Sequence, residues 1–250
     1  MLTWIRAGAS RSLGFIRRQK PNYQVGVIHS SANSLLVGLT SQYTAIYAVA
    51  LGADSVQLGS LSSVGSALST LISIPVGWSV DRRGVRRFFL LGIALSALMA
   101  LLYAVAQSWQ LLIVAAILTA VATRLTGTGC TVICADSVKN PDRATAQNAC
   151  GSMSSVVAMV SPLIAATLIT AFGGMNVEGI RPLFYLRVVG YGLVFLLVAR
   201  RLREPQVGRQ AGADGPWGFV TDFGRLFAGR PGLRRWIAIS ALNALPMAMF

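Results

Sequence analysis

Gly77-Trp78-Ser79-Val80-Asp81-Arg82-Arg83-Gly84-Val85-Arg86-Arg87 packs five charges into seven residues, from Asp81 to Arg87. Upstream the next charge is Asp54, and downstream it is Arg124. A transmembrane helix needs roughly 20 apolar residues to cross about 30 Å of hydrocarbon, so each flank is long enough for a crossing. Only helices or closed barrels satisfy the backbone in lipid. Barrel strands would alternate over segments of about ten residues, and these runs do not. The cluster therefore reads as a short link between two transmembrane helices.

Charge-free intervals recur from Lys20 to Asp54 and from Arg143 to Glu178. With 54% hydrophobic and 12% charged residues, the chain falls far from the soluble norm of about 25% charged. The spans expected are Val25 to Leu51, Val56 to Val80, Phe88 to Ala106, Trp109 to Cys134, Ala146 to Phe172, Leu183 to Ala199, and an unfinished seventh from Trp236 to Phe250. The stretch from Arg87 to Arg124 holds more than one crossing, and Gln107-Ser108 before the interfacial Trp109 marks its turn. The fold class is all-α integral membrane. Residues 1–24 form a basic tail, 25–199 a six-helix half, 200–235 a central cytoplasmic loop and 236–250 the start of a seventh helix. The N-terminal run outlasts the 7 to 15 residues of a signal peptide, so it counts as the first span. Within the loop, Trp217, Val220, Phe223 and Phe227 recur at helical spacing, as an interfacial helix or a plain linker.

Lys and Arg alternate between the two sides. The tail carries five, the second link has Arg82, Arg83, Arg86 and Arg87, the fourth has Lys139 and Arg143, and the sixth has eight. The intervening links carry only Asp54, none, and Arg181 beside Glu178. Basic links face the cytoplasm, which places the N-terminus there in a plasma-membrane protein. The formal charge of +14 thus reports topology, and a nucleic-acid partner is not expected. Arg187, about one turn into the sixth span, reads as a residue snorkelling to the outer interface.

The Gly77–Arg87 link resembles the signature loop of the major facilitator superfamily: Gly, three residues, Asp, a basic residue, any residue, Gly, then basic residues. Gly77, Asp81, Arg82, Gly84 and Arg86 match, with Arg87 following; Ser79 and Val85 depart from the common pattern. Gly77 would let helix ends approach, and Asp81 could face a helix N-terminus. Arg124 with Gly127 and Gly129 is similar to the family's fourth-helix motif, although Thr128 takes a usual Gly place. Residues 135–144 look like the family's link before the fifth helix. Ser161-Pro162 lacks the Gly-rich surround of the exporter motif. The resemblance implies the N-terminal six-helix half of a two-half transporter, a conformational-switch loop at Gly77–Arg87, and a small solute moved by alternating access, coupled to protons or another ion.

Arg124 lies deep in a span, where a charge costs roughly 2.5 to 3.5 kcal/mol on insertion scales. His29, Asn33, Thr40, Thr44 and Tyr47 lie near one face of the first span; they line a cavity or pair with neighbouring helices. Thr128 and Thr131 follow Arg124, and Asn148, Ser152 and Ser155 align in the fifth span. The expected cavity is Arg124, His29, Asn33, Thr40, Tyr47, Thr128, Asn148 and Ser152. Gly59, Ser63 and Ala67, with Ser62, Ser66 and Ser69 beside them, read as a helix contact. Cys130 and Cys134 share a face without a third ligand nearby, so no metal and no cofactor are expected. No GxSxG or HExxH pattern occurs, and the lone His leaves few general bases; the chain is not read as an enzyme. The competing reading is a membrane scaffold or sensor, or a dimerising half-size transporter.

Overall fold

The computed structural model describes residues 14–16, 18–204 and 239. The chain divides into two compact units, residues 1–208 and 209–250. In the second only Ile239 is described; it is helical and exposed. The loop helix around Trp217, the seventh span and the basic residues Arg6, Arg11 and Arg17 lie outside the described residues.

Every regular element described is helical: α1 (Pro21–Ser41), α2 (Thr44–Ala50), α3 (Ser55–Arg83), α4 (Val85–Val105), α5 (Trp109–Ser137), a 3-10 turn (Asn140–Asp142), α6 (Arg143–Ala171) and α7 (Val177–Arg201). Local chemistry sets their limits. Pro21 occupies the first turn of α1, where its missing N–H costs nothing. Asp54 and Gln57 cap α3 reciprocally: Gln57 N donates to Asp54 Oδ1 at 2.7 Å, and Asp54 N donates to Gln57 Oε1 at 3.0 Å. Asn176 Oδ1 accepts from Gly179 N at 2.8 Å and starts α7 six residues before the expected Leu183.

Five described helices are long and apolar enough to cross a membrane: Ser55–Val80, Val85–Val105, Trp109–Ser137, Asn140–Ala171 and Val177–Arg201. The expected first span differs. It breaks at Gln42-Tyr43, between α1 and α2. Thr44 Oγ1 donates to the Thr40 carbonyl at 2.9 Å and Thr40 Oγ1 to the Val37 carbonyl at 3.3 Å. Such back-bonding bends helices. Asn22, Gln24, His29 and Asn33 also dilute the apolar content of α1.

The largest core cluster joins α1, α2, α4, α5 and α7 through Leu39, Tyr47, Phe89, Ile93, Leu112, Ile133, Leu183 and Phe184. α1 packs closely on α7: a Cβ on Gly190 would strike the Leu36 side chain. Tyr23 OH donates to the Ala146 carbonyl at 2.7 Å, and the Ser30 and Ser154 hydroxyls meet at 2.9 Å, tying α1 to α6. α3 is the exception, with Val56 79% and Leu71 71% exposed. The Gly59, Ser63, Ala67 row is not at a close contact: Gly59, Ser63 and Ala67 are exposed, and nothing lies within 4 Å of a Cβ on Gly59.

α4 and α7 are clamped at both ends by arginines. Arg86, in the first turn of α4, donates from Nη2 to the Ala199 carbonyl near the end of α7 at 2.8 Å. Arg181, in the first turns of α7, donates from Nη2 to the carbonyl of Ala106, which ends α4, at 2.7 Å. Carbonyls at a helix C-terminus have no intrahelical donor, and a cation there also meets the negative end of the helix dipole. Arg86→Ala and Arg181→Ala should each cost about 1.5 to 3 kcal/mol, as expected for hydrogen bonds to charged groups. Their effects should add within about 0.5 kcal/mol, because the two contacts share no partner. Unfolding of the two single variants and the double variant in detergent checks this.

Candidate functional site

Gly84 alone separates α3 from α4, at φ 101° and ψ 133°. This backbone region is essentially closed to other residues. The space a side chain would need is also taken: the Glu204 carboxylate lies 2.6 Å from where a Cβ would stand. Glu204 follows α7, so its negative charge reaches the N-terminal end of α4, which the helix dipole favours. The segment after α7 is held again by Asn22, whose Nδ2 donates to the Arg203 carbonyl and whose Oδ1 accepts from Arg203 N, both at 3.0 Å. The Arg82 guanidinium sits 4.3 Å from the centre of the Trp78 ring, a cation–π contact. Arg87 is exposed.

The matched loop thus meets Glu204, and Asn22 holds the adjacent Arg203; neither is prominent in the sequence. Glu204 falls within the expected central loop of residues 200–235. Asp81 and Arg83 are helical, and their side chains lie outside the description. Among the described residues nothing lies within 4 Å of where a Cβ on Gly77 would stand, so none of their helix ends approaches there.

The polar stripe of the first span turns into the bundle. His29 is buried with its ring centre 4.6 Å from that of Phe89 in α4, and neither ring nitrogen has a hydrogen-bond partner. Asn33 Oδ1 accepts from Tyr191 OH at 3.0 Å. Thr40 Oγ1 accepts from Arg187 Nη1 at 2.7 Å. Tyr47 OH donates to the Tyr103 carbonyl at 2.9 Å. Arg187 is therefore not at an interface: it is 7% exposed and buried against α1. Its place in the chain, a turn from the apparent helix start, concealed this, because α7 begins two turns earlier than the hydropathy suggested.

A second set of polar residues is exposed. Arg124 is exposed on α5, and its Nε donates to Ser69 Oγ of α3 at 2.6 Å. Thr123, Thr131, Asn148, Ser152 and Ser155 are exposed, and Thr128 is half-buried. Ser62, Ser63, Ser66 and Thr70 are exposed on α3. The structure joins Arg124 to α3, while His29, Asn33, Thr40 and Tyr47 are engaged elsewhere.

Cys130, Cys134 and Cys150 line one small pocket with Tyr23, Gly26, Val27 and Ile133. Cys150, on α6, supplies the neighbour that the spacing did not reveal. All three are free thiols, and among the described residues no group of His, Cys, Asp and Glu is arranged to hold a metal ion.

Residues 27–250 match the Major Facilitator Superfamily. No curated protein matches. Among solved structures, a variant of the peptide transporter POT in complex with sulfate is similar, with TM-score 0.60 and 18% identity over 91% of this chain and 45% of that one. A POT family transporter bound to a thioalcohol-conjugated peptide gives TM-score 0.59 and 19% identity over 96% and 47%. The human organic anion transporter MFSD10 gives TM-score 0.51 and 17% identity over 74% and 47%. The chain spans less than half the length of each.

Gly84→Ala should cost about 1 to 3 kcal/mol from backbone strain alone, plus the displacement of Glu204. Glu204→Ala in the same chain should recover the second part and not the first, so the double variant is more stable than the sum of the singles predicts. Thermal unfolding of the three variants measures this.

Proposed function

The chain belongs to the major facilitator superfamily, and from that membership we propose that it forms the N-terminal half of a secondary transporter. Membership places it among multi-pass membrane transporters rather than enzymes. Alternating access between two halves, a solute carried at their interface and an ion coupled to it complete the proposal. In this reading α1 and α2 together make the first of six crossings within 25–199. Residues 200–235 form the central loop and 236–250 open the second half.

The observation that carries the reading is the exposed polar face of α3, α5 and α6. A guanidinium with serine, threonine and asparagine side chains has no place against lipid tails. Water and a second half are surroundings it suits. Arg124, Thr128, Asn148 and Ser152 would then meet the solute, and Ser69 positions Arg124. The contacts at Gly84, with Asp81 and Arg82 beside it, hold one closed state. None of the expected spans carries Asp or Glu in its interior, so a proton-carrying carboxylate belongs to the second half. Basic links put the N-terminus in the cytoplasm of a plasma-membrane protein. The solute is small and polar, in keeping with the peptide bound by one structural neighbour.

In the reconstituted full-length protein, Arg124→Gln should lower solute uptake at least tenfold while insertion is unchanged. Ser69→Ala should lower it less. Asp81→Asn should slow exchange with solute binding intact. Unaltered uptake in Arg124→Gln would remove that residue from the pathway, and normal exchange in Asp81→Asn would remove the loop from the switch.

A further inference from the structure

Arg187 lies ten residues from the Val177 start of α7, about 15 Å along the helix axis. Among the described residues its hydrogen bonds go to neutral groups: Nη1 to Thr40 Oγ1 at 2.7 Å and Nη2 to Tyr191 OH at 3.4 Å. Nε is buried and has no hydrogen-bond partner among the described residues. No counter-charge is supplied by the surrounding helices. α1, α2 and α4 contain no Asp or Glu, and the sole acid of α7 is Glu178, about 14 Å away along the axis. A buried cation without an anion is strongly unfavourable.

The guanidinium is not used evenly. Nη1 is well engaged, whereas the edge formed by Nε and Nη2 carries one long contact and one unmade bond. That edge presents two parallel N–H groups, the geometry that pairs with the two oxygens of a carboxylate. One turn nearer the Val177 end lies an aromatic layer. Phe184 stacks on Tyr103 with ring centres 5.0 Å apart and lies 5.2 Å from Tyr47. Tyr47 belongs to α2, the short segment beyond the break at Gln42-Tyr43. The layer is thus partly carried by a piece of helix separate from α1, and its Phe184 stands about one turn from Arg187 along α7.

We propose that the Nε–Nη2 edge of Arg187 is a carboxylate-binding site, reached when the Tyr47–Tyr103–Phe184 layer parts, and that the solute carries a carboxylate beside an apolar group. The second clause rests on the transporter reading above; the first does not. Thr40 and Tyr191 position the guanidinium, and Asn33 orients the Tyr191 hydroxyl.

The test is the thermal stability of the purified full chain in detergent, titrated with sodium acetate or sodium chloride at constant pH and ionic strength. Acetate should raise Tm saturably by several degrees, and chloride by less than half as much. Arg187→Gln should abolish the acetate response while leaving Tm without acetate unchanged or higher, since an unpaired charge has been removed. Arg187→Lys, which keeps the charge and loses the paired edge, should shift the acetate midpoint at least tenfold. No saturable response in the unmodified chain, or an equal response in Arg187→Gln, overturns the site. Equal responses to chloride and acetate overturn its carboxylate class. An acetate response that follows Arg187 in a protein without solute flux upholds the site and sinks the transporter reading; flux without any acetate response does the reverse.

Discussion

The carbonyl ends of α4 and α7 have no donors of their own, and in a membrane there is no deep water to supply them. Arg86 and Arg181 meet that need from opposite ends of the same antiparallel pair. The arrangement links topology to packing. Each arginine stands in the first turns of its own helix, and each is bonded to the C-terminal end of the other helix of the pair. The α4–α7 pair then presents Phe89, Ile93, Leu183 and Phe184 as a fixed wall against which α1, α2 and α5 pack. Gly84 and Glu204 meet at the Arg86 end, so the matched loop and the segment after α7 share one junction.

Within this frame the polar residues fall into two groups. Those of α1 face inward: Thr40, and Asn33 through Tyr191, engage Arg187 of α7, and His29 packs on Phe89 of α4. Those of α3, α5 and α6 are exposed and centre on Arg124. The first group ties the bundle together and engages a buried cation; the second is exposed. The sequence shows both as polar positions in apolar runs. It does not say which of them the neighbouring helices will engage.

Five of the spans were legible because hydrocarbon disfavours charge, so the gaps between charges mark where those helices run. The charged link between α3 and α4 was visible in the same way, but not its reduction to Gly84 alone, because Asp81–Arg83 and Val85–Arg87 continue the two helices. The break at Gln42-Tyr43 was not, because it depends on Thr40 and Thr44 turning their hydroxyls onto the backbone, which an apolar run does not announce. Arg187 was misplaced for a related reason: Asn176 begins α7 well before the apolar stretch, and this moves the residue from the interface to the interior. Glu204 and Cys150 reach their partners from distant positions in the chain, and spacing within one helix holds no trace of either. The loop motif was recognisable from its residues, but the groups it touches were not.

On the proposed function, the exposed polar residues of α3, α5 and α6 border water rather than lipid. With Cys130, Cys134 and Cys150 replaced, single cysteines at Ser66, Thr131 and Ser155 can be compared with single cysteines at Leu98 and Leu193, which are also exposed. A water-soluble thiol reagent applied to the full-length protein in membranes should label the first three and spare the last two. Labelling confined to the leucine positions, with the polar positions reached only by a lipid-phase reagent, would contradict the account.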